Sequence, residues 1–288
     1  MKNDKKFSTG GKIFTTFLLL FTLFLPLDAK NITFSFTGTT LKEDLKTYLQ
    51  WKTYLEQNSK FKIDIKFART YAEVVSNIKD AKSDIAYVCS STYTLLKDKD
   101  NADLLAIPII NGQDKYYSEI IALKGTKYKS IMDFKGKIFA FTDPDSTSGS
   151  IAPTYTIFMH GDTITNFFSN LIYTYDHGES IKAVLDGFVD GASIDSLVLT
   201  QYAKKHPKDM QNLRVVQKLG PYTISPIVAR NNLNKREFQE LQNLFLNMHH
   251  TKIGKEILNH LNIDRFEKPT NQTYSNIYKM LNALKEKK

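Results

Sequence analysis

The chain has 288 residues, 42 % of them apolar, and a formal net charge of +9. That is enough for two ordinary domains with real cores, and it excludes a disordered or fibrous protein. The lysines are scattered with no arginine-rich run, which excludes a nucleic-acid-binding surface, and the single cysteine, Cys89, excludes an internal disulfide and any cysteine-built metal centre.

The N-terminus carries a basic segment (Lys2, Lys5, Lys6, Lys12), then about 15 mostly apolar residues from Ile13 to Leu27, then Leu27-Asp28-Ala29 ending in a small residue. This is the pattern of an export signal cleaved near Ala29. The apolar run is short for a membrane-spanning helix, which needs about 20 residues; an uncleaved anchor is the alternative. No cysteine lies near Ala29 to carry a lipid. The expected mature chain starts at Lys30 in the periplasm and keeps 35 basic and 28 acidic residues, a net +7. That balance suits anionic ligands.

Strands and helices then alternate. Ile32 to Gly38 reads as a strand and turn, and Leu41 to Gln57 as an amphipathic helix. Phe61 to Phe67 alternates strictly and predicts a strand. Tyr71 to Asp80 predicts a helix, and Ile85 to Val88 and Leu104 to Ile110 predict buried strands. Tyr116 to Leu123 predicts a strand that leaves this first unit. A short helix at Ile131, a strand at Lys137 to Phe141, a helix over Thr154 to Phe168, a strand at Leu171 to Tyr175, a helix at Ser180 to Asp186 and a strand at Gly191 to Ile194 follow. A helix over Leu197 to Lys205 and a strand at Leu213 to Val216 complete a second α/β unit. Gly220 to Ala229 reads as the return crossing, and helices over Lys235 to His249, Thr251 to Leu261 and Tyr274 to Lys287 close the chain. The predicted organisation is residues 1–29 as signal, 30–123 plus 224–288 as the first lobe and 124–223 as the second.

The most informative stretch is Phe141-Thr142-Asp143-Pro144-Asp145-Ser146-Thr147-Ser148-Gly149, where a strand gives way to a helix start. First-turn N–H groups lack intrahelical partners and the positive end of the helix dipole lies behind them. Ser146, Thr147 and Ser148 add hydroxyl donors, and Gly149 lets the backbone approach a ligand closely. A phosphate, phosphonate or similar oxyanion is the expected guest. The same residues also make a good N-cap, which needs no ligand.

Other segments agree with this one in order and spacing: Thr70-Tyr71-Ala72, Ser83-Asp84-Ile85-Ala86-Tyr87, Tyr116-Tyr117-Ser118, His177-Gly178-Glu179-Ser180 and Val189-Asp190-Gly191-Ala192. Taken together from about Asn31 to about Asp264, the chain resembles the periplasmic phosphonate-binding proteins of ABC transporters. The resemblance implies a two-lobed α/β fold of the type 2 periplasmic-binding-protein class with its ligand in the interdomain cleft. It implies Ser146, Thr147 and Ser148 as the oxyanion holders, His177 as a further donor, Tyr71 and Tyr117 as residues closing from the other lobe, and Asp195 near the ligand's organic end. It implies no enzyme activity, no cofactor and no bound metal, a monomer, and a membrane permease as partner, or a sensor histidine kinase if the module signals. An enzyme with His177 as base and Asp195 as its orienter is the competing class, but no complete nucleophile–base–orienter set is visible. Tyr87-Val88-Cys89-Ser90-Ser91 departs from the family pattern: Cys89 is either a small buried hydrophobe or a cleft residue favouring a thiophilic oxyanion.

Overall fold

The computed structural model describes residues 29–37, 45–98, 100–270 and 274–286. Residues 1–28, nearly all of the export signal expected over 1–29, the turn and helix start expected at 38–44, and the last two lysines lie outside the described residues. In chain order the first half comprises β1 (Asn31–Phe36), α1 (Leu45–Gln57), β2 (Lys62–Phe67), α2 (Tyr71–Lys79), β3 (Ile85–Tyr87), α3 (Ser90–Lys97), β4 (Ala102–Ile109), β5 (Lys115–Leu123), β6 (Ile138–Phe141), α4 (Ala152–Met159) and α5 (Ile164–Phe167). The second half comprises β7 (Asn170–Tyr173), α6 (His177–Leu185), β8 (Gly191–Asp195), α7 (Ser196–Lys205), β9 (Leu213–Thr223), β10 (Ile227–Arg230), α8 (Lys235–Leu246), α9 (Lys252–Leu261), β11 (Arg265–Glu267) and α10 (Ser275–Lys285).

Two sheets define two lobes, in the strand orders β11-β4-β10-β3-β1-β2 and β7-β6-β8-β5-β9. Parallel pairs made by helical crossovers (β1 with β2 and β3, β6 with β7 and β8) sit beside antiparallel pairs made where the chain changes lobes. β1 is buried along nearly its whole length because helices cover the sheet. The strictly alternating β2 lies at an edge with Lys62 and Asp64 on its polar side, where charge discourages strand addition.

Each lobe has an aromatic core. In the first, Phe34 packs edge-on to Trp51 and Phe245, with ring centroids 5.4 and 5.8 Å away. In the second, Phe139 stacks on Phe168 at 4.8 Å and meets Phe134 edge-on. Each such ring, fully buried, contributes about 1.5–3 kcal/mol.

Four expectations change. β5 pairs with β8 and β9 and so belongs to the second sheet. The first crossing therefore falls between Ile110 and Asp114 rather than at Leu123, and the return crossing runs through 224–226. β9 also extends to Thr223, well past Val216. The helix read over Thr154 to Phe168 is two, α4 and α5, because the chain turns through Gly161 at φ +84°. Finally, α10 packs against both α3 and α4, so it bridges the lobes instead of belonging to the first; Tyr274 anchors its start by donating from Oη to the Ile224 carbonyl at 3.1 Å.

Candidate functional site

β6 delivers its last residue, Phe141, into the core, and the chain turns on Asp143, whose Oδ1 accepts the Asp145 N–H at 2.9 Å. A π-helical turn, Thr147–Ile151, follows and runs into α4. Such wide turns are rare and concentrate at functional sites. Ser146 caps it, its Oγ accepting the Gly149 N–H at 3.0 Å. Gly149 is required for a different reason than ligand approach. A Cβ there would stand 2.5 Å from Thr142 Oγ1 and 2.9 Å from Ser146 Oγ, so the glycine lets this turn lie against the end of β6.

The first lobe meets this turn with the N-termini of α2 and α3. The Tyr71 N–H donates to Asp143 Oδ2 at 3.1 Å. The Ser91 N–H donates to Thr147 Oγ1 at 2.9 Å, and Ser91 Oγ donates to the Asp145 carbonyl. Cys89, buried at the N-cap of α3, accepts the Thr147 N–H on Sγ at 3.3 Å and lies 3.4 Å from Thr147 Oγ1. Cys89 is therefore an interlobe contact and more than packing.

The hydroxyl triplet divides its labour. Ser146 Oγ accepts one of these bonds, and Thr147 Oγ1 accepts from the Ser91 N–H and the Cys89 thiol, which leaves their own O–H protons to donate. Ser148 Oγ is buried without a partner, while the Ser148 carbonyl accepts from Ser118 Oγ and Ser193 Oγ, both at 2.7 Å. Two phenols share this condition. Tyr71 Oη and Tyr116 Oη are buried and complete no hydrogen bond, with Ser146 beside the first and Ser90 and Thr147 beside the second. Burial, then the neighbouring Cys89, push both phenols well above their usual range. Both also feel Asp195. Orphaned buried donors gathered in one place call for a ligand or ordered water.

Tyr117 does not join them. Its neighbours in β5 alternate in burial, and Tyr117 falls on the other face, its ring 5.9 Å from Lys218 Nζ and its N–H donating to Ser196 Oγ. Tyr116 takes the place expected of it. The period of a strand allows only one of two adjacent tyrosines to face the triplet; Ser118, two residues on from Tyr116, faces the same way.

His177 opens α6, which Asp176 caps by accepting the Glu179 N–H on Oδ1 at 3.1 Å. The ring is 2 % exposed, and burial pulls its pKa down to about 3, so it is neutral. Nδ1 accepts the Asp195 N–H at 3.3 Å and contacts Thr142 Oγ1 at 3.0 Å. Asp195 ends β8 and caps α7 through Oδ1, which accepts the Leu197 N–H at 2.8 Å. Burial, with a smaller push from Glu119, raises its carboxyl to about 7. It lines a small interlobe cavity with Tyr87, Leu197, Val198 and Ser225.

The structure thus brings Tyr71, Ser146, Thr147, Ser148, His177 and Asp195 to one interlobe site and adds Tyr116, Cys89, Ser91, Thr142 and Asp143. The ionisable groups acting on Tyr71 (Cys89, Asp143, Asp195) are all acids; the donors gathered here are neutral hydroxyls and helix N-termini. Among the described residues no cluster of three or more metal-ligating side chains occurs, and no helix is long and apolar enough to cross a membrane.

Known proteins resemble the chain over most of its length. The Escherichia coli (strain K12) phosphonates-binding periplasmic protein is 26 % identical over 260 residues, covering 86 % of this chain and 76 % of that protein. A probable ABC transporter phosphite-binding protein of Prochlorococcus marinus (strain MIT 9301) is 28 % identical over 177 residues, 57 % of this chain and 60 % of that one. The solved structure of a binding-protein component of an ABC phosphonate transporter from Pseudomonas aeruginosa superposes with a TM-score of 0.82 at 23 % identity, covering 88 % of this chain and 86 % of that one. That of PhnD1 from Prochlorococcus marinus, in complex with methylphosphonate, superposes with a TM-score of 0.80 at 20 % identity, covering 89 % and 99 %. These likenesses fix the fold as that of type 2 periplasmic binding proteins. Residues 34–274 match the model of the ABC-transporter phosphonate periplasmic substrate-binding proteins, and the chain belongs to that family.

Proposed function

We propose that this chain captures a small tetrahedral oxyanion of the phosphonate, phosphite or phosphate class between its lobes and delivers it to the membrane permease of an ABC transporter. The observation that carries this reading is the set of buried, unpartnered hydroxyls of Tyr71, Tyr116 and Ser148 around the π-helical turn. Three donors left dry in one place cost about 1–3 kcal/mol each, and an oxyanion satisfies them together. The relatives named as phosphonate- and phosphite-binding proteins, and the one solved with methylphosphonate, support the ligand class.

On this reading Ser146, Thr147 and Ser148 donate from one lobe with His177, and Tyr71 and Tyr116 close from either side. The crossings at 110–114 and 224–226 are the hinge. The bonds from Ser91 to Thr147 and from Tyr71 to Asp143 then form on closure. The protein acts by binding alone, as an exported monomer starting near Lys30.

A thermal-shift screen of the chain from Lys30 tests the proposal, since a ligand of the folded form raises Tm by mass action. Methylphosphonate, phosphite or phosphate should raise Tm, and sulfate should not. No shift with any of the phosphorus anions refutes the ligand class. A larger shift with sulfate or thiosulfate, protecting Cys89 from alkylation, would assign a thiophilic anion instead.

A further inference from the structure

We infer that Thr142 is a positioning residue that fixes His177 as a neutral donor through Nε2, an inference that rests on His177 being one of the ligand's donors. One bond of fixed polarity sets the tautomer. A backbone N–H can only donate, so the Asp195 N–H at 3.3 Å from Nδ1 makes Nδ1 an acceptor. The proton of the neutral ring therefore sits on Nε2. It follows that the Thr142 hydroxyl, 3.0 Å from the same nitrogen, also donates to Nδ1.

Two donors on one nitrogen hold the ring plane and disfavour a second proton. Burial acts in the same direction. Among the described residues Nε2 has no bonded partner, which leaves its N–H for the guest.

Thr142 is itself pinned. It is fully buried, its N–H donates to the Gly149 carbonyl at 3.1 Å and its carbonyl accepts the Tyr175 N–H at 2.7 Å. Its side chain also fills the space that a Cβ on Gly149 would need. One residue thus ties the π-helical turn that carries Ser146, Thr147 and Ser148 to the ring on α6, so that both donor sets of this lobe keep a common geometry. A threonine at the end of a buried strand is otherwise an unremarkable core residue, and nothing in its immediate sequence marks the role.

The test is long-range proton–nitrogen NMR of ring-labelled histidine in the unliganded chain from Lys30, with Thr142→Val and Thr142→Ser, and calorimetry of each with methylphosphonate and phosphite. The expected wild-type spectrum shows His177 as the Nε2–H tautomer. Thr142→Val keeps shape but loses the donor. It should mix the tautomers and weaken binding roughly 5- to 30-fold, the worth of one buried hydrogen bond. Thr142→Ser restores the hydroxyl and should keep the tautomer and most of the affinity. An Nδ1–H tautomer in the wild type overturns the inference. So does a Thr142→Val protein with unchanged tautomer and affinity, or a Thr142→Ser protein as impaired as Thr142→Val. The spectrum needs no ligand, so a correct tautomer with no anion bound refutes the proposed function while leaving the role of Thr142 intact.

Discussion

Replacing Tyr71 by Phe separates a hydroxyl kept for binding from one kept for folding. The ring is 1 % exposed, and its Oη is buried with no hydrogen bond. Phenylalanine preserves the packing and removes only the oxygen. In the unliganded protein only Ser146 lies beside that oxygen without completing a hydrogen bond, so most of its desolvation penalty, about 1–3 kcal/mol when fully dry, is not offset. Stability should therefore stay level or rise by up to about 2 kcal/mol, which for a chain of this size moves Tm by roughly 2–8 °C. If Tyr71 holds the ligand as proposed, the same oxygen makes a hydrogen bond to an anion worth about 1.5–3 kcal/mol, and its loss should raise Kd roughly 10- to 150-fold. The two effects have opposite signs, as expected where function holds groups in an unfavourable state. Melting curves without ligand and calorimetry with methylphosphonate and phosphite measure both. A Tyr71→Phe protein that is less stable and binds as tightly as wild type would refute the reasoning, because the hydroxyl would then be a structural group whose partner has been misidentified.

Three further outcomes follow from the same geometry. Gly149→Ala forces a Cβ to within 2.5 Å of Thr142 Oγ1 and 2.6 Å of its Cβ; it should cost about 1–3 kcal/mol in thermal unfolding and weaken anion binding too, because Thr142 also holds His177. Asp195 has a folded-state pKa of about 7, above its ordinary value of 3.8. The folded state thus binds more protons than the unfolded one between about pH 4 and 7, and this group's contribution to stability falls as pH rises through that window. Asp195→Asn retains a capping side chain and should flatten the decline, and identical wild-type and variant pH profiles would exclude the effect. Asp84 accepts the Thr33 N–H on Oδ2 and the Arg230 Nε–H on Oδ1, both at 2.8 Å. Asp84→Ala leaves Arg230 partly buried without its carboxylate and should cost about 2–3 kcal/mol in denaturant unfolding without changing anion affinity.

The parts of the molecule legible in the sequence were those set by local rules. The alternation of Phe61 to Phe67 gives an edge strand, and the run Ser146-Thr147-Ser148-Gly149 marks a helix start whatever surrounds it. The rest depends on pairings between distant residues. The Tyr71 N–H reaches Asp143 and the Ser91 N–H reaches Thr147 across 72 and 56 residues of chain, so neither aspartate nor serine announces its part locally. β5 reads as a buried strand in either lobe, and only its pairing with β8 and β9 assigns it to the second. Strand parity in the sequence shows that only one of Tyr116 and Tyr117 can face the hydroxyl turn, and the Ser118 contact in the structure places Tyr116 on that face. Gly149 reads in the sequence as letting the backbone approach a ligand; in the structure the Thr142 side chain lies against it. Cys89 reads in the sequence as either a buried hydrophobe or a cleft residue, and only the second lobe brings the Thr147 N–H against its sulfur.

The central claim is that the hydroxyl turn between the lobes holds an oxyanion. Calorimetric titration of the chain from Lys30 with methylphosphonate, phosphite and phosphate, compared with the Ser146→Ala, Thr147→Ala, Ser148→Ala triple variant, tests it most directly. The wild type should show saturable one-site binding of at least one of these anions, weakened at least about 100-fold in a variant that still folds, since two or more hydrogen bonds to the anion are lost. Equal affinity in the two proteins for every anion would contradict it.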